Sequence, residues 1–120
     1  MPNQVFLGDD GFIHHVIEGD QDAATTQDLR DQTFKLASQL SVLPRPIKIL
    51  SDLTGIGKAD SNARRIASGI IQDIKLDKIA IFGGNRFMKH LVNLVVKATG
   101  KEDRVRYFDS KDQAIAWLNS

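Results

Sequence analysis

Apolar positions along the chain switch between a period of two and a period near 3.6, and the switching predicts the fold. Residues 5–7 form a short apolar run closed by Gly8-Asp9-Asp10-Gly11, and residues 12–18 resume directly afterwards. Two apolar runs around an Asp/Gly turn predict a β-hairpin. In the second run Phe12, His14, Val16 and Glu18 share one face, and Ile13, His15 and Ile17 share the other. Residues 23–42 change to helical spacing, with Leu29, Thr33, Leu36, Ala37 and Leu40 on one stripe. Thr25 or Thr26 is expected to cap this helix, and Pro44 and Pro46 to end it, since neither proline donates a backbone hydrogen bond. Residues 47–50 predict a strand buried on both faces, ending in Ser51-Asp52. Residues 53–58, with Gly55 and Gly57, read as a glycine-bearing loop. Asp60 then caps a helix whose apolar face is Ala63, Ile66, Ala67, Ile70, Ile71 and Ile74. Residues 78–82 predict a strand stopped by Gly83-Gly84. Asn85 starts a helix with Phe87, Met88, Leu91, Val92, Val95 and Ala98 inward and Gly100 as its stop. Residues 104–108 form a last strand, and Ser110 with Gln113 makes a capping box for a short final helix.

The order is β-β-α-β-α-β-α-β-α. It predicts an α/β fold with a mostly parallel central sheet of about five strands flanked by helices. At 120 residues, one domain spanning 1–120 is expected.

Charge and composition remove several function classes. Sixteen Lys plus Arg against 15 Asp plus Glu leave a net charge of +1, which gives no reason to expect a nucleic-acid partner. The chain has no cysteine, so disulfides, thiolate zinc sites and thiol catalysis are all excluded, and a reducing, cytoplasmic setting is expected. The first ten residues lack a basic region followed by an apolar run, and the apolar stretch at 91–96 is too short to span a bilayer. Neither a signal peptide nor a membrane span is therefore expected. His14 and His15 point to opposite faces of a strand, and His90 has no partner at ligand spacing, so no metal and no cofactor are expected. Gly55-Ile56-Gly57-Lys58 fails as a nucleotide phosphate loop. Asp52 stands where the first glycine is needed, and Ala59 where Ser or Thr is needed. A dinucleotide-type Gly-x-Gly-x-x-Gly fails at Asp60. These glycines are expected instead to relieve strain in a tight connection.

Leu53-Thr54-Gly55-Ile56-Gly57-Lys58-Ala59-Asp60-Ser61-Asn62-Ala63 resembles the STAS-domain pattern Leu-Ser-Gly-Val-x-x-x-Asp-Ser-Ser-Gly, with the same spacing from the leucine to the Asp-Ser pair. Ile49-Leu50-Ser51-Asp52-Leu53, Ile79-Ala80-Ile81-Phe82-Gly83 and Ala114-Ile115-Ala116-Trp117-Leu118 look like segments of the SpoIIAA-like branch of that family. The resemblance covers nearly the whole chain. It implies a SpoIIAA/STAS-like fold and a regulatory, non-enzymatic role in signalling. In STAS-type anti-sigma-factor antagonists the serine after the aspartate is phosphorylated by a partner kinase, and Ser61 stands at that position. Asn62-Ala63 replace the Ser-Gly that follows in the pattern, and Arg64 and Arg65 come next.

Candidate sites gather at the strand ends. Ser61 is read as a phosphoacceptor at a helix start, with Arg64 or Arg65 one turn on to pair with a phosphate, or as an ordinary first-turn serine. Asp52 and Asp60 bracket the 53–58 segment. They suit acid/base or cation chemistry, or more simply a strand-end acceptor and an N-cap. Gly83, Gly84, Asn85 and Arg86 offer free amides and a cation to an anion, or form a plain turn. A cleft between the 53–58 and 83–86 loops, adding Gly55, Gly57 and Lys58, is the expected pocket for a small apolar or anionic ligand. That small-molecule or lipid-binding reading is the alternative to the leading one, a surface that docks a protein partner through the loop and helix around residues 60–65. Surplus apolar residues on the 86–99 helix, Leu94 and Val96, suit a homodimer contact or a greasy groove.

Overall fold

The computed structural model describes residues 3–73 and 75–120. β1 (Gln4–Leu7) and β2 (Ile13–Gln21) form the hairpin. They are followed by α1 (Ala23–Leu40), β3 (Lys48–Ala59), α2 (Ser61–Ile71), β4 (Lys78–Phe82), α3 (Arg86–Thr99), β5 (Val105–Phe108) and α4 (Lys111–Leu118). The strands form one five-stranded sheet in the order β1-β2-β3-β4-β5. The β1–β2 pair is antiparallel, and every later pair is parallel. Each parallel strand is added beside its predecessor in the same direction, so successive right-handed crossovers return on one side. Leu29 and Ala37 of α1, Ile70 and Ile71 of α2, and Met88 and Val96 of α3 accordingly pack into one core with Ile13, Ile49, Ile79 and Val105. The residues of opposite pleat, Phe12, Leu50, Ala80 and Phe82, pack with Ala114 and Leu118 of α4 on the other face. Lys48 and Lys78 donate to carbonyls at the C-terminal end of α4, Leu118 and Trp117 respectively, where the helix dipole favours a cation.

Four expectations are corrected. Residues 53–58 are strand, not loop: β3 continues to Ala59 because β2 also runs on to Gln21 and pairs with it, through two register shifts. Gly55 and Gly57 make that pairing possible by their lack of a side chain, not by unusual backbone angles. A Cβ at Gly57 would lie 2.2 Å from the Asp20 carboxylate, and one at Gly55 2.2 Å from that of Glu18. α1 is capped by Asp22, not by a threonine. Its carboxylate accepts from the Thr25 amide at 2.9 Å, and the Thr25 hydroxyl accepts from the Asp22 amide at 3.0 Å. The bond from the Thr25 amide, chief among several, holds the Asp22 carboxyl below its ordinary value. α1 also ends at Leu40, two residues short of the expected 42. α3 is rotated from the expected face: Met88 and Val96 are buried, Leu91, Val92 and Val95 half-buried, and Phe87 and Ala98 exposed. Ile74, expected on the apolar face of α2, lies outside the described residues.

Candidate functional site

α2 presents Ala63 and Ala67 toward the sheet one turn apart, and two methyl groups cannot fill the layer that leucines would fill. The result is a cavity of about 150 Å³ between the sheet and the helix layer. Its walls come from Ile17, Leu53 and Ile81 of the sheet, Ile70 of α2, and Leu91 and Val95 of α3. A volume on the order of 150 Å³ with largely apolar walls admits a benzene-sized guest.

Polar groups on the wall fall into two kinds. The first is a closed chain of hydrogen bonds through buried His15. The Thr33 hydroxyl donates to the Leu29 carbonyl at 2.6 Å, so it must accept from His15 Nε2, 2.8 Å away. Neutral His15 then accepts at Nδ1, and the Ser51 hydroxyl donates to it at 2.8 Å. Burial, with a smaller contribution from the neighbouring charge of His14, pulls the His15 pKa down to about 4. Ser51 and His15 are thus arranged as nucleophile and base are in acyl transfer. The third member, however, is a hydroxyl committed to a carbonyl, and among the described residues no carboxylate bonds to the ring to stabilise an imidazolium. The chain satisfies three buried polar side chains and fixes one tautomer. The second kind lies outside that chain: Gln21, Arg64 and Thr26, the last 3% exposed with a hydroxyl that has no hydrogen-bond partner among the described residues.

A surface groove lies outside the cavity, lined by Asp20, Gly57, Lys58, Asn85 and Phe87. Cavity and groove share Ile56, Ala59, Arg64 and Met88, so the two adjoin across those residues. The structure therefore brings the C-terminal end of β3 and the start of α3 to one rim, and of the expected pocket residues it gathers Gly57, Lys58, Arg64 and Asn85. Asn85 also caps α3, accepting from the Met88 amide at 2.8 Å. Gly83 and Gly84 sit at this rim as structural parts. Both have φ above +80°, and a Cβ at Gly83 would lie 2.6 Å from the Thr54 amide nitrogen. Tyr107 donates to the Gly83 carbonyl at 2.6 Å and pins the turn.

The remaining expected residues lie outside the groove lining. Asp52 accepts from the Thr54 amide at 2.8 Å and shares the pleat of Leu50, on the sheet face opposite the cavity. Asp60 caps α2, accepting from the Ala63 amide at 2.8 Å, so the two carboxylates do not converge. Gly55 lies against Glu18, Ser61 is exposed at the start of α2, Arg65 donates to Asn62 at 3.2 Å, and Arg86 is exposed outside the groove lining. Sequence reasoning missed Thr26, His15, Ser51 and Asp20. For His15 and Ser51 the signal was present: each sits at an inward pleat position, where a polar residue demands a buried partner. Among the described residues no cluster of His, Asp or Glu is arranged to hold a metal ion. No helix among them is long and apolar enough to cross a membrane.

The SpoIIAA-like family model matches residues 13–119. This chain belongs to the SpoIIAA-like family. The fold, a five-stranded mostly parallel sheet with four helices, is the SpoIIAA-like one, and domains of this fold are commonly regulatory protein-interaction modules. Among solved structures, the anti-sigma factor antagonist SpoIIAA in its unphosphorylated form aligns with a TM-score of 0.69 over 98% of each chain at 11% identity. An uncharacterized protein with a SpoIIAA-like fold from Shewanella loihica PV-4 aligns with a TM-score of 0.65 at 18% identity, over 97% of this chain and 91% of its own. At such identities the likeness is one of fold. No curated protein matches the chain.

Proposed function

We propose that this SpoIIAA-like chain is a non-enzymatic regulatory module that docks a protein partner through the rim carrying Asp60 to Arg65, switched by phosphorylation of Ser61. The observation that carries this reading is the position of Ser61. It is exposed, it is the first residue of α2, and it stands beside the basic groove of Lys58 and Arg64. A phosphate there gains from the helix dipole and from the arginines one turn on. The similar antagonist, described in an unphosphorylated form, supports the same mode of control. Exposed Phe87 on the groove wall adds apolar contact area for a partner or a second copy, with exposed Leu94 two turns further along α3. Ser61→Asp and Ser61→Ala, used as baits, are expected to change partner capture in opposite senses. Identical capture by both removes the switch.

A second reading, a small-molecule or lipid-binding domain, is favoured by a different observation: the apolar cavity that adjoins the groove between the end of β3 and the start of α3. Native mass spectrometry of gently purified protein is expected to show a retained mass. A bare mass, with no thermal shift across metabolite and lipid panels, removes it.

A further inference from the structure

The ligand-binding reading leaves the chemistry of the ligand open, and the cavity wall narrows it. Resting on that reading, we propose that the cavity takes a compact apolar carboxylate, an acid with a hydrocarbon body of about six carbons, body inward and acid at the neck. The body follows from the walls. Beyond Thr26, Gln21, Arg64 and the His15–Ser51 pair they are apolar, and a volume near 150 Å³ suits about six carbon atoms.

The polar end follows from two independent observations. Thr26 is 3% exposed, lines the cavity and has a hydroxyl proton with nowhere to go. A buried hydroxyl left without a partner is costly, and an oxygen acceptor carried by a guest removes the cost. Arg64, half-buried at the neck, has no side-chain hydrogen bond and no ion pair among the described residues. Both groups lie at the same end of the cavity. Gln21, which leads into α1 and Thr26, pairs with Ala59, which leads into α2 and Arg64. The other polar side chains on the cavity wall are already committed: His15 and Ser51 to each other, and Gln21 to Asn3 and to the Glu18 and Gly19 carbonyls. A guest is thus met by donors at one end and by hydrocarbon elsewhere. Outside the neck, Lys58 adds a second cation, while Asp20 has one carboxylate oxygen engaged by the Lys58 amide. The balance of the groove is positive, which selects an anion over an amine.

The test is calorimetric titration of the full chain with hexanoate, hexanol and hexylamine, three probes of equal chain length and different head charge. Hexanoate is expected to bind at least tenfold more tightly than hexanol, and hexylamine more weakly than either. Arg64→Gln is expected to weaken hexanoate about tenfold and leave hexanol unchanged, the unchanged hexanol affinity showing that the cavity is intact. Equal affinity for hexanoate and hexanol, or hexanoate binding untouched by Arg64→Gln, overturns the acid assignment while the ligand-binding reading stands. No binding of any probe overturns both.

Discussion

Two buried polar residues on the cavity wall have opposite consequences for stability. Thr26 contributes a hydroxyl without a partner, so Thr26→Val, which keeps the shape and deletes the hydroxyl, is expected to stabilise the empty protein by about 1 kcal/mol. Urea unfolding of the two proteins at pH 7 measures it, and a loss of stability instead would mean that the hydroxyl is satisfied. His15 is satisfied only while neutral. Its folded-state pKa lies near 4, below the ordinary 6.5, so in the window between these values the unfolded chain takes up a proton that the folded chain refuses. Stability from this residue is complete above about pH 6.5 and falls as the pH drops toward 4, by about 3 kcal/mol in all. His15→Gln, which cannot titrate, is expected to be less stable at pH 7 but flatter across that window. Parallel slopes for the two proteins between pH 6.5 and 4 would place the acid sensitivity elsewhere.

At the scale of elements, glycines separate positions that need open space from positions that merely tolerate it. Gly69 lies within α2, and a Cβ added there would meet nothing within 4 Å, so Gly69→Ala is expected to stabilise by about 0.8 kcal/mol through helix propensity. Gly83 combines φ of +89° with a backbone nitrogen 2.6 Å from where a Cβ would sit, so Gly83→Ala is expected to cost about 2 kcal/mol or more. Denaturant midpoints measure both, and equal effects would contradict the assigned backbone. The sequence made the order of elements legible because apolar periods and the caps Asp60, Asn85 and Ser110 are local signals. It hid the extension of β3 because Gly55-Ile56-Gly57 looks like a connection until Glu18 and Asp20 are known to lie opposite. It hid the His15 chain because its partners are 36 and 18 residues away in sequence. The rotation of α3, which buries Val96 and exposes Phe87, depends on how α2 and β5 pack beside it, and no pattern within α3 contains that.

For the whole molecule, the sheet order matters most. Strands added steadily in one direction place three helices on one face, and the gap under the smallest of their side chains becomes the cavity. The expected segments 53–58 and 83–86 contribute Gly57, Lys58 and Asn85 to the groove at one rim, and α2 adds Arg64. The interior to which that rim leads was not foreseen, since it is defined by what Ala63 and Ala67 fail to fill. Ser61 opens α2 three residues before Arg64, so an input by ligand and an input by phosphate would act on the first turn of one helix. The ligand-binding reading stands or falls on whether that interior accepts a guest. Methyl-resolved NMR of the isoleucines during titration with hexanoate tests it most directly. Saturable shifts are expected at Ile17, Ile56, Ile70 and Ile81, which line the cavity, with Ile47 and Ile115, away from it, unmoved. Shifts absent from the first group, or spread equally over both, would contradict it.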